Sequence, residues 1–397
     1  MMPSNPKQYY QRFWAGHAGK LHFRAHSHHF WPDISREAQI AYWDECAKLG
    51  DDKWDKIFSE TIPRTQNHIA SILRLADARQ IALAPNTHEL STRLLSLFLG
   101  RKSLNILTTT NEFHSWRRQF FRLMEIPNIT IHQVDANNFP HDRDAFLRAM
   151  RTELAKHYDL VYLSQVFFDS GAALTDSEIV SLVAVTPEST LFAIDGYHGF
   201  AALPCCLTKL EGKVFYLGGG YKYGQGGEGV GFMVVPKGDW RPAYTGWYAE
   251  YAKLSGPTGQ TVGYANDAMA FMGSTQDPSG FYRFNAVWDL FNAEGIGIPG
   301  IHDYVAGLQK TFLENLPRHF MRNWSLTPLF DPALVWHGHF LTFEASSLDL
   351  AERCLQTLNS HDILIDRRGA RLRFGFGLYQ DKADVMALCQ RLQKLVG

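Results

Sequence analysis

The sequence is poor in the features that mark several large protein classes. Its five cysteines, Cys46, Cys205, Cys206, Cys354 and Cys389, form no Cys-x-x-Cys, so neither a disulfide framework nor a zinc knuckle is indicated. It has no excess of one charge sign. Lys+Arg total 39 against 40 Asp+Glu, a formal net charge of −1, which argues against nucleic acid and an anionic membrane surface as partners. No apolar stretch approaches the ~18 residues that a membrane helix needs. The opening MMPSNPKQYYQRFWAG has no basic-then-apolar signal pattern, so a cytoplasmic chain is expected. No repeat of ~20–50 residues and no Gly/Ser- or Pro-rich linker divides the chain. GxxxxGK[ST], HExxH and GxSxG are all missing, which removes the best support for P-loop, zincin and serine-hydrolase chemistry.

What is present is enough apolar material for a large core: 397 residues, 45% hydrophobic and 20% charged. Short apolar or β-branched runs read as strands at Asn105–Thr109, Ile129–Val134, Leu160–Ser164, Thr190–Ile194, Val214–Leu217 and Val230–Val235. Helical spacing between them is clearest over Asp142–His157 and over Asp176–Val185, where Asp176 is an N-cap-type residue. Such alternation predicts an α/β fold with a mainly parallel central sheet covered on both faces. The last part of the chain follows an α+β pattern: helices Phe284–Glu294 and Ile301–Leu316, short strands near Phe340–Glu344 and Arg371–Phe376, and a terminal helix Asp381–Leu395. The expected division is a large domain over 60–283 and a smaller one built from 284–397 together with 1–59.

In a parallel sheet, ligands sit beyond the carboxyl ends of the strands. Two such ends carry chemistry. TLFAI runs into Asp195-Gly-Tyr-His-Gly, and VFYL runs into Gly-Gly-Gly-Tyr221-Lys222-Tyr-Gly. A lysine amine that can condense with an aldehyde, beside a carboxylate that keeps a pyridinium nitrogen protonated, is what pyridoxal 5′-phosphate (PLP) requires. Glycines around the lysine let backbone pass close to such a cofactor.

Asp-x-x-His after one strand and Tyr-Lys-Tyr after the next resemble kynureninase, a PLP enzyme of the class V aminotransferase group with the aspartate-aminotransferase fold. The resemblance implies that Lys222 holds PLP, Asp195 meets its ring nitrogen, His198 lies beside the ring and Tyr221 reaches the phosphate. Ala84-Pro-Asn86-Thr87-His-Glu-Leu resembles the family's phosphate turn, where backbone amides and a hydroxyl at a helix N-terminus hold the dianion. Phe113 matches the residue that stacks on the pyridine ring, Ser115 a polar cofactor contact, and Ser164 a small hydroxyl residue near the ring, whereas Trp116 replaces a residue that is usually acidic. Gly246-Trp247-Tyr and Gly273-Ser-Thr275 resemble segments that reach the partner subunit's phosphate and substrate, which implies a homodimer with shared active sites. Arg371 and Arg373 fall on one strand face by alternation. The resemblance assigns Arg373 to the substrate α-carboxylate, a task suited to a planar, two-pronged donor. His26 and Ser27 fall at the entrance and are expected at the substrate.

Other patterns carry less. Gly224-x-Gly226-x-x-Gly229 matches a dinucleotide fingerprint literally, but a strand-like run follows it where that fingerprint opens a helix. Three histidines within His26–His29 rarely close a metal site without a distant ligand, and no metal is expected. Cys205-Cys206 read as small buried residues. The expected function is therefore a PLP-dependent enzyme acting on a small-molecule amino acid. Hydrolytic Cβ–Cγ cleavage of a kynurenine-type substrate stands first, with amino transfer to a keto acid and a non-catalytic PLP-fold binding module as alternatives. The substrate-reading positions depart from kynureninases. Gly50-Asp-Asp-Lys-Trp54 lacks the family's histidine, Ser274-Thr275 stands where its asparagine is expected, and His26-Ser-His-His replaces Asn-Ser-Leu-Gly. Cysteine desulfurase, which shares this fold, ranks lower because a Ser-x-His-Lys-type segment is missing and Cys354 lies in a helical, apolar setting.

Overall fold

The computed structural model describes residues 5–253, 261–331, 333–334 and 336–395. The apolar runs that precede the Asp and Lys segments become the centre of a seven-stranded sheet. Its strands in chain order are β1 (Ile81–Ala84), β2 (Leu104–Thr109), β3 (Ile129–Val134), β4 (Leu160–Ser164), β5 (Leu191–Asp195), β6 (Val214–Gly219) and β7 (Gly231–Val234). Their spatial order is β1-β7-β6-β5-β4-β2-β3. All pair in parallel except β7, which is antiparallel to both β1 and β6.

Residue type accounts for position in the sheet. β4 is largely apolar up to its terminal Ser164 and buried at all five positions, as a strand covered on both faces tends to be. Edge strand β3 alternates Ile with Thr, His and Gln, and most of its polar residues are exposed. The helix predicted from Asp176 runs Asp176–Ala184, but its N-cap is Thr175. The Thr175 side chain accepts from Glu178 N, and Glu178 answers at the cap's own backbone, a reciprocal pair that closes two orphan donors.

The second sheet is antiparallel and has four strands, in the order Asp366–Arg368, Arg371–Gly375, Phe340–Ala345, Leu326–Pro328. Buried residues gather into two clusters. One lies around the large sheet and includes Phe281, Phe284, Trp288 and Phe291 from helix Ser279–Ala293. The other joins the small sheet to helices Leu348–Ser360 and Lys382–Lys394. The N-terminal segment crosses to the small sheet's side, where Leu21 and His22 pair in parallel with Ile363 and Leu364. Gly224-x-Gly226-x-x-Gly229 lies in a loop that leads into strand β7, not a helix. No helix of the described residues is long and apolar enough to cross a membrane.

Candidate functional site

β5 and β6 run side by side in parallel, with Asp195 opposite Leu217, so the segments that follow them emerge at one end of the sheet. After Asp195 the chain turns tightly, Phe200 N donating to Gly196 O at 2.7 Å. A side chain at Gly196 would run into the Tyr216 ring about 2 Å away, and the turn delivers His198 three residues beyond the strand. After β6 the Lys222 loop is pinned at its base, Gly220 N to Val230 O at 2.8 Å and Gly226 N to Gly220 O at 2.9 Å. Lys222 Nζ thereby comes to 2.6 Å from His198 Nε2. It also lies 5.0 Å from the Tyr197 ring centroid and 5.4 Å from that of Phe113.

These residues line a cavity of about 420 Å³, together with Asn86, Thr87, Ser115, Ser164, Asp195 and Tyr221. Asp195 is held from two sides. Tyr162 Oη donates to its Oδ2 at 2.9 Å and Tyr197 N to its Oδ1 at 3.0 Å. Burial pushes this carboxyl up, while those hydrogen bonds and Lys222 pull it down. Burial lowers Lys222 to about 7, and the Arg373 charge adds to the effect. Burial, followed by Lys222 and Arg373, also keeps the His198 imidazole well below its ordinary range, so it is neutral at physiological pH. His198 Nδ1 is buried and has no hydrogen-bond partner among the described residues.

The start of helix Thr87–Ser96 forms another part of the cavity lining. Asn86 caps it, accepting from Glu89 N at 3.1 Å. β7 packs directly under this turn, and a Cβ at Gly231 would meet the Asn86 carbonyl carbon at 2.4 Å. Free amides and a hydroxyl at a helix N-terminus suit a dianion. Phe113 presents a partly uncovered ring, 39% exposed, and packs edge-on against Phe168. A cavity that joins an amine, a buried acid, an open aromatic face and a helix N-terminus fits PLP in charge, shape and donor set.

Five other expected site residues lie outside this wall. Arg373 is 3% exposed and already engaged. Its Nε and Nη2 fork onto Asp366 at 2.8 and 2.5 Å, and its Nη1 donates to Phe168 O. Asp366 stands opposite it across the hairpin. Burial would raise the Asp366 carboxyl, but His26 and Arg373 overcome it and hold Asp366 well below the usual range. His26 is fully buried, its Nε2 2.9 Å from Asp366 and its ring stacked on Phe340. Burial takes His26 to about 4. Ser27 closes the adjoining turn, its N donating to Arg24 O at 2.8 Å. Trp247 Nε1 donates to Thr275 Oγ1 at 3.2 Å, within an aromatic group that includes Trp54, Phe58 and Tyr251.

Several residues of the site carry no chemical signature in the sequence. Tyr162, mid-strand, reads as core until its hydroxyl is seen on Asp195, and Asp366 is one of many hairpin acids. Glu112 is the exception. A glutamate between a strand end and the singled-out Phe113 is a signal that was there to be read.

No family model and no curated protein matches the sequence. Solved structures do match over nearly the whole chain. A cystine C–S lyase, C-DES, in complex with its reaction product cysteine persulfide, is 19% identical with a TM-score of 0.80, covering 96% of this chain and 98% of that one. A lysine variant of C-DES with glycine covalently linked to its PLP cofactor is 18% identical, TM-score 0.81, covering 96% and 97%. The cysteine desulfurase of Thermococcus onnurineus NA1 is 16% identical, TM-score 0.80, covering 100% and 98%. The chain thus has the aspartate-aminotransferase fold.

Proposed function

We propose that this chain is a PLP-dependent enzyme acting on an amino acid. The observation that carries the reading is Lys222, a half-buried side chain whose amine is brought to about 7, in one cavity with Asp195. When bound, the cofactor's ring supplies an electron sink for charge developing at the substrate α-carbon. Lys222 near neutrality is free to take and return a proton at that carbon. Asp195 Oδ2 and Oδ1, fixed by Tyr162 and Tyr197, hold a proton on the ring nitrogen. Asn86, Thr87 and Tyr221 take the phosphate, Phe113 covers the ring face, and Ser115, Ser164 and His198 meet its polar edge. Trp247 and Thr275 complete the site of a second copy in a homodimer.

For the reaction we favour kynureninase-type hydrolysis at Cβ–Cγ, supported by Asp195-x-x-His198 with Tyr221-Lys222 and by the aromatic wall of Phe113, Trp116, Phe168 and Tyr197. Cleavage of a C–S bond is the second reading, favoured by the fold shared with a cystine lyase. No cysteine lines the cavity, so sulfur carried on a thiol of this chain forms no part of that reading. Arg373 would receive the substrate α-carboxylate on either route only by giving up its contact with Phe168 O while Asp366 keeps hold of it. Loading with PLP, reducing with borohydride and mapping peptides is expected to find the adduct on Lys222; an adduct on any other lysine overturns the assignment. A panel of kynurenine, 3-hydroxykynurenine and cystine then separates the reactions: alanine marks the first, persulfide the second. A cofactor converted to its amine form and restored by a keto acid marks amino transfer.

A further inference from the structure

Behind Ser164 lies a carboxyl group that the proposed chemistry leaves unused. Glu112 has no exposed surface. Its Oε1 accepts from Thr109 Oγ1 at 2.7 Å, and its Oε2 lies 2.5 Å from Ser164 Oγ, with Ser164 N at 3.3 Å from Oε1. The groups around it are the Thr109 hydroxyl from β2, the Ser164 and Tyr162 hydroxyls from β4 and the Asp195 carboxyl from β5. No lysine, arginine or histidine hydrogen-bonds to it among the described residues. An ionised carboxylate here would have neither water nor a cation and would face a second acid, which is the setting that favours the neutral form. Burial, with Asp195 adding to it, raises Glu112 to about 8.

The proton decides what Ser164 offers. With Glu112 ionised, the Ser164 hydroxyl must donate backwards to Oε2, leaving only an acceptor towards the cavity. With Glu112 protonated, its O–H donates to Ser164 Oγ, and the serine hydrogen is released forwards. Ser164 lines the cavity and stands opposite Asp195 in the sheet. We propose that Glu112 is a positioning residue that stays protonated in the folded chain and, through Ser164, presents a hydrogen-bond donor to an electron-rich atom of the cavity's ligand. Asp195 then carries the single negative charge at this sheet end. The inference deepens the PLP reading, but its first two tests need no cofactor, so the two can fail separately.

Glu112→Gln mimics the protonated acid, with an amide N–H for Ser164 and an oxygen for Thr109. In the cofactor-free chain at pH 6, the infrared difference between the native protein and Glu112→Gln should show the carbonyl stretch of a protonated carboxylic acid, shifted in D2O. In urea, the native unfolding constant should rise relative to the variant's by up to tenfold per pH unit between about 5 and 8, because the unfolded chain gives up a proton that the folded chain keeps. With PLP as the probe, Glu112→Gln should bind within about twofold of native, while Ser164→Ala should lose up to roughly tenfold, one hydrogen bond. A missing acid band, or a flat pH difference, overturns the protonated state. Native-like binding by Ser164→Ala, or loss of binding in Glu112→Gln equal to that in Ser164→Ala, overturns the positioning role.

Discussion

Replacing Lys222 with methionine should stabilise the cofactor-free protein, and by an amount that depends on pH. Burial draws the amine from its ordinary 10.5 to about 7, so the folded chain opposes a charge that the unfolded chain carries freely. One pH unit of difference corresponds to about 1.4 kcal/mol. The full span is therefore about 5 kcal/mol, and solvent reaching the half-buried side chain reduces it to about 3 kcal/mol. Between pH 7 and 10.5 the unfolded state binds the extra proton, so native stability rises with pH; below 7 the penalty is complete. Urea unfolding of native and Lys222→Met protein at pH 6, 8 and 9.5 is expected to show the variant ahead by about 3 kcal/mol at pH 6 and the gap narrowing steadily above 7. Loss of the Lys222 charge beside His198 also relaxes the penalty on that imidazole at pH 6, which widens the gap there and acts in the same direction. A gap that is the same at every pH would refute the claim that the fold holds this lysine near neutrality.

Other outcomes follow from the same contacts. Asp366→Ala strands a nearly unexposed guanidinium and should cost about 3–5 kcal/mol in urea; Asp366→Asn, which still accepts, should cost clearly less. Gly231→Ala forces a methyl group against the Asn86 backbone. It should weaken PLP binding, read by equilibrium dialysis, and cost about 1–3 kcal/mol. Asp195→Asn removes the charge proposed to hold the ring proton and should lower kcat by roughly 10²–10³, with Tm little changed. Single Cys→Ala variants at Cys46, Cys205, Cys206, Cys354 and Cys389, none of which lines the cavity, should keep native turnover on whichever substrate the panel identifies. Collapse in any one of them would reinstate a sulfur-carrying thiol.

Residue types alone were enough to set out the central architecture. Leu160–Ser164 is a strand at the limits that its run sets, because a strand buried on both faces has to be mostly apolar, and Ile129–Val134 is one at the limits of an alternating β-branched run, the pattern of an edge strand with one face in water. Asp195 and Lys222 could be singled out for the same kind of reason: a charged residue directly after a buried strand has few structural uses and is placed where parallel sheets bind ligands. Ile81–Ala84 was not legible. Two alanines among four residues carry little strand preference, and the segment is a strand because β7 pairs with it. The direction of β7 was equally hidden, since antiparallel and parallel partners share one side-chain period.

What the tertiary structure decided was state and occupancy. Arg373 reads as a free substrate fork until hairpin register sets Asp366 opposite it. His26 reads as an entrance residue until packing seals it against Phe340. Lys222, Asp195 and Glu112 have ordinary proton affinities in an open chain. Only the removal of water in the fold draws Lys222 down and Glu112 up, while hydrogen bonds and the Lys222 charge offset the same effect at Asp195. Covalent structure fixes which groups are available; desolvation and charge–charge distance, which belong to the folded state alone, fix how each one is charged and what it already holds.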